Sequence, residues 1–223
     1  MAKYTVTQSP VSHLLALVES EQIAIPELQR PFVWDSIKVR DLMDSLYRGY
    51  PSGAILLWET DVPVPMQDMA VPQQSNPYPS TRLLLDGQQR LTSLAAVIRG
   101  EMVKVRGRKR PLDLLFNLEH PDGSGVVTEV EEDGIGDDDE DDLTHDEADS
   151  TEDELQKRFD RMTFLVATKK VEQLPQWVKV TEVFKTDSDA GFLKRAGVAS
   201  FDDPNYERYS RRGNLGEFMQ HLV

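Results

Sequence analysis

"LLLDGQQRLTSLAAVI", residues 83–98, runs from a leucine-rich, strand-like segment into an amphipathic helix through five polar residues, Asp86, Gly87, Gln88, Gln89 and Arg90. Gly87 allows a sharp turn and a close approach to the backbone, and the N–H groups of Gln88, Gln89 and Arg90 point out of the helix's first turn without intrahelical partners. Such a junction is suited to an anion. A phosphate there gains the helix dipole and a charge-assisted contact from Arg90, each worth on the order of 1 kcal/mol or more. The same residues also fit a plainer reading in which Asp86 caps the helix and Arg90 is a solvated surface cation. The paired glutamines favour the first, because they add amide donors and acceptors that a simple cap does not need.

Working outward, "TQSPVSHLLALVES" predicts a short helix with Ser9 as its cap, followed by Pro10 and an apolar stripe of Val11, Leu14, Leu15 and Val18. "QIAIPELQRPFVW" reads as an extended stretch punctuated by Pro26 and Pro31, and a firm helix then runs from an Asp35 cap to a Gly49 terminator. "GAILLWE" (53–59) and "RLLLDG" read as buried strands on either side of a loop over 60–80 that holds five prolines, and a helix over about 88–99 closes the unit. Further on, "LDLLFNLE" and "MTFLVA" read as a hairpin pair with an expanded tip. "LPQWVKVTEVFK" ends in a short helix, "DAGFLKRAGV" is a weaker one, and the helical pattern "LGEFMQHLV" is still running at Val223, which predicts a chain cut from a longer protein.

The 223 residues are 39% hydrophobic, enough for a real core. No apolar run approaches the roughly 18 residues of a membrane span and no signal peptide is evident, so a cytoplasmic protein without membrane partners is expected. With no cysteine and four scattered histidines, disulfides, thiolate chemistry and structural zinc are excluded or disfavoured. The net charge of −14 is misleading. Residues 129–154 hold 16 of the 39 acids and no Lys or Arg, which leaves 23 acids against 25 bases, about +2, elsewhere. That acidic, low-complexity insertion reads as a solvated loop that divides the chain into 1–128, 129–154 and 155–223.

Other residues invite function. Gln29 and Arg30 lie between prolines on a rigid segment that could present a guanidinium to the same phosphates, the alternative being a surface ion pair with Glu27 or Asp35. Phe32 and Trp34 read as packing residues rather than base-stacking ones, and Lys38 and Arg40 as a solvated helix face with Arg40 paired to Asp44. "KVRGRKRP" (104–111) places five cations in seven residues, a DNA-backbone contact through Arg106, Arg108, Lys109 and Arg110.

"IPELQRPFVWDSIKVRDLMDSLYRGYPSGAILLWE" together with "LLLDGQQRLTSL" resembles the N-terminal domain of GmrSD-type modification-dependent restriction proteins, whose signature is the DGQQR motif. The likeness is good over about residues 9–120 and looser over 160–185. It implies a ParB/sulfiredoxin-like α+β fold, a small mixed sheet with flanking helices, here interrupted by the acidic loop insertion. It further implies binding, and often hydrolysis, of a nucleoside triphosphate, coupled in longer relatives to a nuclease domain or subunit that attacks modified DNA. Carried onto this chain, Gln29, Arg30, Gly87, Gln88, Gln89 and Arg90 become the nucleotide-binding candidates. Asp86 and Gln89 become the catalytic ones, with Asp86 also the candidate ligand of Mg2+. No "F-x-R-x-N-x-x-G" block or "H-N-H" pattern follows, so nuclease activity is not expected of this chain. A non-catalytic DNA-binding module of the ParB type is the alternative.

Overall fold

The computed structural model describes residues 4–60, 64–71, 82–103, 112–120, 161–168, 171–174 and 176–185, with Ser200, Asp202, Asp203 and Tyr206. The basic turn over 104–110, the acidic insertion and the two helical patterns over 189–198 and 215–223 lie outside these residues.

Helix α1, Val11–Glu19, buries Val11, Leu14, Leu15, Leu17 and Val18. Ser9 does not cap it. Pro10 occupies the cap position at φ −61° and ψ 146°, an extended conformation, so the helix begins one residue later than the Ser9 cap requires and has no side-chain cap bond. After strand β1, Ile23–Pro26, helix α2 spans Ser36–Tyr47, and here the Asp35 cap is as read: its carboxylate accepts the Lys38 N–H at 2.8 Å. Gly49, at φ 73°, ends the helix in the left-handed region. On the polar face of α2, Arg40 pairs with Asp41 at 2.7 Å and not with Asp44, which is taken by Arg48 at 2.7 Å.

Strand β2 is shorter and more exposed than its apolar sequence suggests. It covers Leu56–Glu59, with Leu56 and Trp58 facing solvent, because it lies at the edge of its sheet. The proline-rich segment contributes a two-residue strand, β3 at Met66–Gln67. Strand β4, Arg82–Asp86, leads through Gly87 into helix α3, Gln88–Arg99. The sheet order is β2-β4-β1-β3, with β1 and β4 parallel and the outer strands antiparallel to their neighbours, which makes it a small mixed sheet.

A second, antiparallel sheet is built from β5 (Leu114–Asn117), β6 (Phe164–Val166) and β7 (Trp177–Lys179), with β5 central. Pairing of Leu114 with Val166 and Phe116 with Phe164 confirms the two hairpin strands, while β7, which the sequence runs together with the helix that follows it, α4 at Val180–Lys185, is a third strand paired with β5. The whole is α+β. One apolar cluster joins both sheets and all four helices: Ile23 and Ile25 of β1, Met43 and Leu46 of α2, Leu91 and Ala95 of α3, Phe116 of β5 and Val180 of α4 are all buried in it. Fully burying side chains of this size stabilises the fold by roughly 1.5–3 kcal/mol each. Polar contacts tie the same elements, with Arg99 of α3 on Glu19 of α1 at 2.6 Å and the Thr181 hydroxyl donating to Val97 O at 3.0 Å. Among the described residues no helix is long and apolar enough to cross a membrane.

Candidate functional site

Because β1 and β4 are parallel neighbours, the chain leaves Pro26 and Asp86 at the same edge of the sheet. In open sheets with parallel strands that edge is where ligands collect. Gly87 makes the turn there at φ 94°, and a Cβ at this position would collide with Ile55, so both conformation and space require glycine. No side chain caps α3. Among the described residues the first N–H of the helix to find an acceptor is that of Leu91, which bonds Gly87 O at 2.9 Å, so those of Gln88, Gln89 and Arg90 are left at the end of the helix without one. Asp86 is therefore not a cap. Its exposed carboxylate pairs with Arg90 at 3.1 Å.

The segment after β1 is fastened onto this turn by three glutamines. Gln89 accepts the N–H groups of Val33 (2.9 Å) and Trp34 (3.3 Å) and donates to Pro31 O at 3.0 Å, so both ends of its amide hold the facing loop. Gln29 reaches back to donate to the carbonyls of Leu84 and Leu85 at 2.5 and 2.8 Å, and Gln67 of β3 donates to Gln29 O at 2.8 Å. Phe32 is buried and Trp34 packs against the core, as expected of packing residues.

Arg30, between the fastened residues 29 and 31, is exposed and makes no hydrogen bond or ion pair with any described residue. Asp35, a partner its sequence position offers, is instead engaged by Lys38 at 3.0 Å. Arg90 has the opposite character. Its guanidinium is mostly buried and donates to Ser52 O, to Ala54 O at 2.9 Å and to Asp86 at 3.1 Å, gripping the left-handed bend at Gly53. The structure thus brings Gln29, Arg30, Asp86, Gly87, Gln88, Gln89 and Arg90 to one sheet edge, with Arg90 and Gln89 largely committed to the protein itself. Arg106, Arg108, Lys109 and Arg110 lie outside the described residues.

Two features of the site carry no local sequence signal. The carbonyls of Ser52 and Ala54 become ligands of Arg90 only through the fold. Thr92, four residues after Gln88 on the same face of α3, is also buried, and among the described side chains the oxygens Gln88 Oε1 and Thr92 Oγ1 are buried without a hydrogen-bond partner.

The family model described as the GmrSD restriction endonuclease N-terminal domain matches residues 11–197. An uncharacterized protein of Methanocaldococcus jannaschii is 30% identical over 116 residues, which cover 48% of this chain and 20% of that protein. The matched part of the chain thus spans about a fifth of that relative's length.

Proposed function

The chain belongs to the family of the GmrSD restriction endonuclease N-terminal domain, and from that membership we propose that it is the nucleotide-binding, NTP-hydrolysing regulatory domain of a DNA-restriction or phage-defence protein. The phosphates are held at the DGQQR turn. The observation that carries this reading is the start of α3: three N–H groups with no capping side chain, beside a loop fastened so as to carry Arg30, both without a partner among the described residues. Backbone donors, a helix dipole and an uncommitted guanidinium are the elements from which phosphate sites are made. Arg90 supports the site from behind by holding the 52–54 bend, and Gln89 by holding the 31–34 segment.

Mg2+ fits this arrangement in one way. Among the described residues no group of three His, Asp or Glu side chains is placed to hold a metal. Magnesium is, however, commonly held by a single carboxylate with phosphates and water, and the exposed Asp86 is such a carboxylate. Bound there, the ion would neutralise phosphate charge.

The rest of the reading is an inference from the family. The sheet is taken as the ParB/sulfiredoxin-like one, and the domain as cytoplasmic. DNA and a nuclease domain or subunit are its partners in the full-length context, with Arg106, Arg108, Lys109 and Arg110 on the DNA backbone. Titration calorimetry with ATP, GTP and CTP, each with Mg2+, tests the central point. Saturable heat with one of them is expected, and none with any would remove the proposal. A salt-dependent DNA mobility shift that ignores nucleotide would favour a non-catalytic DNA-binding module instead.

A further inference from the structure

Gln88 is 6% exposed and Thr92 is 0% exposed, yet Gln88 Oε1 and Thr92 Oγ1 have no hydrogen-bond partner among the described residues. Residues four apart share one helix face, so both oxygens lie along the same side of the first turns of α3. Side chains on a helix lean towards its N-terminus, so the Gln88 side chain leans towards the end of α3 at which the N–H groups without acceptors among the described residues also lie. Ser93 supplies a comparison within the same turn. Its buried hydroxyl donates to Gln89 O at 2.7 Å, the usual refuge of a helical hydroxyl, whereas the Thr92 hydroxyl does not take the equivalent bond.

The chemistry of the missing partner is restricted. A carboxamide oxygen only accepts hydrogen bonds, and so does an ionised phosphate, so phosphate cannot satisfy Gln88 Oε1. The partner has to be a donor. A hydroxyl matches both groups, since it can donate to Gln88 Oε1 while accepting from the Thr92 O–H.

We infer that Gln88 and Thr92 form a second subsite that takes a hydroxyl of the ligand's sugar, while the N–H groups at the start of α3 take its phosphates. The inference rests on the nucleotide reading above and adds what that reading lacks, a reason for the domain to distinguish a nucleoside triphosphate from bare polyphosphate. Buried acceptors left unpaired are the device by which sites reject analogues that lack a hydroxyl.

The test is calorimetry on the full chain with four probes: the ribonucleoside triphosphate that binds, its 2′-deoxy and 3′-deoxy forms, and inorganic tripolyphosphate. One deoxy form should bind about tenfold more weakly than the ribonucleotide. Thr92→Val and Gln88→Met should each weaken the ribonucleotide by about the same factor and leave tripolyphosphate within about twofold, and Thr92→Ser should restore binding. If a variant fails to fold, the deoxy probes read the same contact on the unaltered chain. Equal affinity for the ribonucleotide and both deoxy forms would overturn the subsite while leaving the phosphate site standing. Equal losses of ribonucleotide and tripolyphosphate in the variants would also overturn it. Failure of the wild-type chain to bind any probe would remove the nucleotide reading and the subsite together.

Discussion

Arg90 shows how one residue can look like a ligand contact and act mainly as a latch. It stands four residues after Asp86, a spacing that already offers an ion pair, but its stronger partners are carbonyls at Ser52 and Ala54. Hydrogen bonds from a charged donor contribute about 1.5–3 kcal/mol when shielded from water, so Arg90→Ala should lower stability by about that amount, read as a reduced urea midpoint. Arg90→Lys should recover little, since an ammonium cannot reproduce the planar fork across two carbonyls. Gly53→Ala attacks the same contact from the other side: it strains a φ of 89° and drives a methyl into the guanidinium. If that collision matters, the two substitutions will be non-additive, with Gly53→Ala less damaging in the Arg90→Ala background; full additivity would disconnect them. In the sequence Arg90 reads as a phosphate contact or a solvated surface cation. Nothing within the motif itself indicates partners more than thirty residues away, which is why the latch was not legible there.

At the scale of elements, α2 and α3 were readable because their signals are local: a cap at Asp35, a left-handed glycine at either end of α3, and apolar residues at helical spacing. The Asp35 cap also sets a pH dependence. Burial alone would raise its carboxyl, but bonds from the Lys38 N–H and ammonium, with that ammonium's charge, outweigh it and hold the group below its ordinary value of 3.8. A depressed folded-state value means the contribution is complete above about pH 4 and is lost as pH falls through the folded value. Asp35→Ala should therefore cost about 1 kcal/mol at pH 7 and less at about pH 3, while Asp35→Asn, which can still cap, should be nearly neutral at pH 7. A penalty for Asp35→Ala that stays constant down to about pH 2 would show that the charge is immaterial. The strands were less legible. β2 has the composition of a buried strand but lies at an edge, and β3 and β7 are too short to show alternation; their existence depends on the partners Pro26 and Asn117 offer across the chain.

Across the whole molecule, the fold brings residues 29–34, 52–54 and 86–90 to one place although they are far apart in sequence, tying the first to the turn with glutamine amides and the second with the Arg90 guanidinium. Gln29 and Gln89 stand out in the sequence, yet their role is visible only once β1 and β4 are known to be parallel neighbours, because only then do the two face across the gap. This division of labour separates two variants sharply. Arg30 has no partner among the described residues, so Arg30→Ala should leave the melting temperature unchanged while weakening triphosphate binding by about tenfold, an effect that shrinks with added salt. Gln89→Ala removes the acceptor of the Val33 and Trp34 N–H groups and the donor to Pro31 O. It should therefore speed hydrogen exchange at Val33 and Trp34, lower stability by about 1–3 kcal/mol, and weaken the nucleotide as well, because Arg30 is then carried on an unfastened loop. Gln89→Glu keeps the acceptor but sets a carboxylate against Pro31 O, so exchange at Val33 and Trp34 should stay slow while nucleotide binding still falls. If Arg30→Ala binds triphosphate as tightly as the wild type, the fastening has another purpose, and the phosphates are held by the α3 N–H groups alone.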